Sequence, residues 1–162
     1  FVKKRYFLHC FFIIFKVSNL IIMIKFFVSA VLLSTTLGLA QSSNLTISIS
    51  SLKDNTGIVI AELYNTKESF LKKTYKTSSS AIKSNTALVT FAGLPSGEYT
   101  VLVYQDRNSN GKLDKYFIGM PKEPVACSNN AKGFMGPPKY EDAKFIVGSE
   151  DLKINIKMST SH

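Results

Sequence analysis

Residues 87–106 read ALVTFAGLPSGEYTVLVYQD, and no other stretch limits the fold so tightly. ALVTFAGL (87–94) and EYTVLVYQ (98–105) each have the length and the β-branched and aromatic content of a strand. Pro95-Ser96-Gly97 turns the chain between them, because proline fixes its own φ and glycine can take a positive one. The form F-x-G-L-P-x-G-x-Y-x-V-x-V predicts a packed corner at the end of a β-sandwich. Leu94 and Tyr99 plug the core there, and the Tyr99 hydroxyl bonds back to the turn backbone.

The neighbouring segments extend the pattern. NLTISISSL (44–52) alternates Leu45, Ile47 and Ile49 with polar residues, a half-buried strand of period two. GIVIAELY (57–64) is apolar on both faces, which suits a central strand. KESFLKK (67–73) is predicted as a short helix and TSSS (77–80) as a loop. Residues 118–141 hold many Gly and Pro and read as one long loop. DAKFIVG (142–148) and DLKINIKM (151–158) read as a closing hairpin around Gly148-Ser149-Glu150. Short strands without a long helix predict an all-β fold. The architecture expected is an antiparallel β-sandwich of about seven strands, prealbumin-like or immunoglobulin-like, with its core in 44–158.

The first 40 residues are of different composition. From Met23, MIKFFVSAVLLSTTLGLA has a lysine, an apolar run and small residues before Gln41, which predicts a secretory signal peptide over 23–40. Residues 1–22 are read as upstream translation or a misplaced start, and 41–162 as a single domain. The rival is a retained anchor, since 6–33 is apolar enough to span a bilayer. Membrane contact is expected only through this segment, if it is not cleaved. The location expected is exported: periplasmic, outer-surface or secreted.

The formal charge of +9 overstates the basic character of the domain. Five of the 20 basic residues precede residue 41 and none of the 11 acids does, leaving 15 against 11 in mixed order. Such a chain lacks the clustered footprint that nucleic acid requires. Past residue 40 one cysteine remains, Cys127, and one histidine, His162. A Cys/His metal cluster and a Ser-His or Cys-His pair are therefore excluded there; a lone thiol forms no internal disulfide and is tolerable in an oxidising compartment if buried.

The corner, the polar loop DRNSNGKLD and FIGMPKEPVACSNNAKGFMGPPKYEDAKF together resemble the DUF2141 family, exported bacterial proteins of unknown function. The resemblance covers roughly 44–158. It rests on G-x-P-K-E at Gly119–Glu123, S-N-N-A at Ser128–Ala131 and G-P-P at Gly136–Pro138. Gln105 stands where the family often has His, and Pro124–Cys127 where Gly-Tyr-Gly-like residues are usual. The resemblance implies fold and compartment, and no activity.

Two loops carry candidate chemistry. Asp106, Asn108, Asn110, Gly111 and Asp114 follow the order D-x-N-x-N-G-x-x-D, the opening of a calcium loop, with Lys112 offering its carbonyl at position seven. Position twelve is Phe117, so the usual bidentate Glu is missing, and Glu123, Glu141 or Asp142 would have to replace it. The same residues also suit a hairpin turn at Asn110-Gly111, and both readings stand at this point. In the second loop Lys122, Glu123, Ser128, Asn129 and Asn130, with Phe134, Met135 and Tyr140, form a candidate ligand-binding surface. The leading expectation is a non-catalytic binding or structural module of the cell envelope, with an envelope protein or glycan as partner and Ca2+ as the one cofactor considered. The alternative is an envelope enzyme or carbohydrate-handling protein using 118–141. Asn155 shares parity with Lys153 and Lys157, so it should face water rather than form an isopeptide cross-link.

Overall fold

The computed structural model describes residues 42–134 and 136–158. The signal-like segment, the residues before it, Met135 and His162 lie outside the described residues. Among the described residues eight strands form two sheets: β1 (Ser42–Ser50), β2 (Ile58–Tyr64), β3 (Lys76–Ala81), β4 (Ala87–Pro95), β5 (Gly97–Asp106), β6 (Val125–Cys127), β7 (Phe145–Val147) and β8 (Leu152–Lys157). One sheet has the order β4-β1-β8. The other runs β3-β2-β5-β6, with β7 also paired to β5. This is the β-sandwich that the sequence predicts.

Alternation places the core. Leu45, Ile47 and Ile49 of β1, Val89 and Phe91 of β4, and Ile156 of β8 meet Val59, Ala61 and Leu63 of β2 and Val101 and Val103 of β5. A second cluster lies on the outer face of the larger sheet, where Tyr64, Leu102 and Cys127 pack under Phe70, Tyr140 and Ala143. Both clusters are drawn from residues 45–158, so this span carries its own core. The corner behaves as predicted. Leu94 is fully buried, Tyr99 nearly so, and the Tyr99 hydroxyl donates to the Pro95 carbonyl at 2.9 Å. β4 and β5 lie in different sheets, so Pro95–Gly97 carries the chain from one layer to the other.

Four local expectations are corrected. TSSS is not a loop but part of β3, an edge strand paired antiparallel to β2. An edge strand takes its hydrogen bonds from one neighbour and can leave a polar face in water. Here Ser78 Oγ also donates to the Thr90 carbonyl of β4, across the gap between sheets. KESFLKK makes turns, because Leu71 takes a left-handed φ of 58°, which ends helix growth. The closing hairpin does not form. β7 pairs with the start of β5, and β8 lies parallel to β1, so the sandwich is not wholly antiparallel. Asp151 fixes that crossing: its Oδ1 accepts the Asn44 amide at 2.7 Å and its Oδ2 the Asn44 carboxamide at 3.2 Å. Last, the 118–141 segment is not one loop. It contains β6, a 3-10 turn at Ser128–Asn130 and the start of α1 (Tyr140–Ala143). Asn155 is exposed, as its parity requires.

Candidate functional site

β5 ends at Asp106, and the chain then folds back on that residue's carboxylate. Asp106 is fully buried. Its Oδ1 accepts the Asn110 amide at 3.1 Å and its Oδ2 the Gly111 amide at 2.7 Å. Asn108 Oδ1 accepts the Asn110 amide at 3.1 Å, and Asn110 Oδ1 the Lys112 amide at 2.8 Å. Both carboxamide Nδ2 groups donate to Asp114, from Asn108 at 2.8 Å and from Asn110 at 3.3 Å. Gly111 at φ 76° permits the reversal. The five sequence-predicted residues of 106–114 are thus brought together.

A second segment joins them. Glu123 is buried, its Oε1 accepting the Arg107 amide at 2.9 Å and its Oε2 the Asp114 amide at 3.2 Å. Of the three acids named as substitutes for position twelve, Glu123 alone is bonded to the loop. Glu141 pairs with Lys67 at 2.9 Å and Lys144 at 3.1 Å. Asp142 lies on α1, where its carbonyl accepts from Asn129. Phe117 stands fully in solvent. As placed, no group of three His, Cys, Asp or Glu side chains among the described residues is set to hold a metal ion. The Asp106 and Glu123 carboxylates face backbone amides instead and that of Asp114 faces two carboxamides, and each oxygen keeps a second lone pair.

Beside this loop lies a contact that sequence reasoning missed. Gln105 is fully buried, its Nε2 donating to Asp54 Oδ1 at 3.0 Å and to the Thr56 carbonyl at 2.9 Å. Arg107 Nη2 meets Asp54 Oδ2 at 2.7 Å. The Thr56 amide donated to Asp54 holds that carboxyl below its ordinary value, with Gln105 and Arg107 adding to the effect. The D-N-T-G turn after β1 is thereby fastened to the end of β5. Only the turn itself was visible in the sequence, since its partner lies 51 positions away.

The other candidate surface does not converge. Lys122 sits 5.4 Å from the Tyr116 ring. Ser128 is buried, its hydroxyl donating to the Ala143 carbonyl and accepting the Val101 amide at 3.0 Å. Asn129 Nδ2 donates to the carbonyls of Asp142 and Lys144, and Asn130 Oδ1 accepts the Lys157 amide at 2.8 Å. The anchor points of Ser128 and Glu123 on the β5 end, Val101 and Arg107, are six positions apart, roughly 20 Å of strand. The Cys127 thiol is buried, which pushes it up to about 12.

A family model described as an uncharacterized protein conserved in bacteria (DUF2141) matches residues 47–155. The chain belongs to the DUF2141 family. The match spans both sheets from within β1 to within β8, including the 106–123 loops, so family membership applies to the whole sandwich. No curated protein matches the chain. Among solved structures, a pilus-presented adhesin (Cpa) is similar at 18% identity and a TM-score of 0.31. The alignment covers 75% of this chain and 27% of the adhesin.

Proposed function

We propose that this DUF2141 chain is an exported, non-catalytic β-sandwich module of the cell envelope whose 106–123 end binds calcium weakly. The observation that carries the calcium reading is Glu123. It brings a third carboxylate from a separate segment onto the loop that already gathers Asp106, Asn108, Asn110 and Asp114. Arg107, Lys112 and Lys115 beside the loop weaken its pull on a cation, and Asn108 and Asn110 must release Asp114. The expected affinity is therefore in the weak extracellular range, about 10⁻⁴ to 10⁻³ M. A non-catalytic role is supported by the bonded Ser128 hydroxyl and by the burial that keeps the Cys127 thiol protonated. An envelope protein or glycan remains the partner class that suits such a module.

Thermal melts of a 41–162 fragment test the metal. Calcium at about ten times its dissociation constant stabilises the native state by about 1.4 kcal/mol, which raises the midpoint by about 3–6 °C. Chelator reverses the rise, and Glu123→Gln removes it. A midpoint indifferent to calcium overturns this reading. Export is tested on protein recovered from outside the cytoplasm, whose N-terminal residue should be Gln41; a retained Met23 refutes cleavage.

A further inference from the structure

Directly after the polar loop the chain makes a narrow finger. Lys115 bridges to Pro121, the Tyr116 amide donates to the Met120 carbonyl at 2.8 Å, and the Gly119 amide to the Tyr116 carbonyl at 2.8 Å. Its base is closed by the Lys122 amide on the Asp114 carbonyl at 2.8 Å. Its tip consists of apolar side chains left in water: Tyr116 56% exposed, Phe117 108%, Ile118 76% and Met120 60%. A contiguous exposed apolar group of this kind is unfavourable in water and marks a surface that something covers.

The charge around the tip selects the cover. Lys112, Lys115 and Lys122 are exposed at its base, and Lys122 Nζ stands 5.4 Å from the Tyr116 ring. The acids nearby are withdrawn, Asp106 and Glu123 being buried on backbone amides and Asp114 accepting two carboxamides. The finger therefore presents an apolar point with lysines at its base. A finger one hairpin wide falls short of the roughly 800 Å² per partner typical of a stable protein interface. An anionic lipid surface needs much less. Apolar side chains enter the boundary between headgroups and acyl chains, the tyrosine ring lies at the headgroup level, and lysines meet lipid phosphates.

We propose that the 115–121 finger docks the domain on an anionic membrane surface by inserting Phe117, Ile118 and Met120 between lipids. This goes beyond the calcium reading and does not depend on it. It also differs from the sequence expectation, in which only the N-terminal segment meets a membrane. The chain contains no tryptophan, so Phe117→Trp installs a single reporter at the tip.

The test mixes the 41–162 fragment, in chelator, with vesicles of phosphatidylethanolamine and phosphatidylglycerol, or of phosphatidylcholine alone. The expected result is co-sedimentation with the anionic vesicles and a blue shift of the Phe117→Trp emission on adding them. Phe117→Ser and Ile118→Ser each lower the partition coefficient about tenfold or more. Lys115→Gln and Lys122→Gln each lower it about fivefold. Ile146→Ser, which changes an exposed apolar residue on β7, leaves it unchanged. Three results overturn the proposal: no binding to anionic vesicles, an equal loss in Ile146→Ser, or a blue shift without lipid accompanied by a concentration-dependent mass. The last would mean that a second copy covers the tip.

Discussion

Two glycines at the same end of the sandwich show how differently one residue type can be constrained. Gly57 and Gly111 have nearly equal positive φ, 75° and 76°. A side chain at Gly111 would meet nothing, whereas one at Gly57 would overlap the Asp106 carbonyl oxygen and crowd the Arg107 backbone. Gly111→Ala should therefore cost only the left-handed backbone penalty, about 1–2 kcal/mol. Gly57→Ala must in addition push the end of β5 away from the turn that Gln105 and Arg107 hold. We expect it to cost roughly twice as much or more, read as the difference in urea unfolding free energy. Equal losses would mean that the turn and β5 are not packed as described. The calcium pattern singles out Gly111, yet of the two it is Gly57 that the fold can less afford to change, because the loop pattern is local and the crowding is not.

At the scale of elements, what the sequence discloses follows from how each strand gets its hydrogen bonds and its burial. β1, β2, β4 and β5 are legible because each buries at least one face, so each must show an apolar period of two or a continuous apolar run. β3 buries no face fully, and its polar sequence is indistinguishable from a loop until β2 is placed beside it. The final two strands carry the right period, yet their partners are not each other. Adjacency along the chain favours a hairpin, but the long-range bond from Asn44 to Asp151 takes β8 to the other sheet, parallel to β1. The corner was fully legible, since proline, glycine and tyrosine within five positions specify both the turn and its hydroxyl bond. The candidate loop was legible for a similar reason: alternate oxygen side chains around a glycine are a local pattern. That Glu123 rather than Glu141 or Asp142 is the acid bonded to it was not legible, because only the tertiary path decides which acid arrives.

For the molecule as a whole, the outer face of the larger sheet sets an alkaline limit. Tyr64, Tyr104 and Cys127 are buried in that layer. Burial, then the Tyr64 hydroxyl's bond to Glu62, drives Tyr64 well above the ordinary phenol range. Burial, then the Glu62 charge, pushes Tyr104 up to about 12, and burial alone pushes Cys127 up to about 12. All three are neutral when protonated, so the folded chain keeps protons that the unfolded chain releases at its ordinary values, about 8.5–9 for the thiol and about 10 for the phenols. Wherever the unfolded state holds fewer protons, stability falls as pH rises. This contribution is whole below about pH 9 and is lost as pH climbs through the folded values near 12. Urea unfolding of the 41–162 fragment should accordingly give a midpoint that declines from about pH 9, with the thiol acting first. Cys127→Ala lowers the midpoint at neutral pH by leaving a small void, yet should delay the onset of the decline to about pH 10, where only the phenols respond. Parallel curves for the two proteins between pH 9 and 10 would show that the thiol is not held protonated by this fold. The surface lysines, which also lose charge in alkali, are the same in both proteins, so the difference between the curves isolates the buried group.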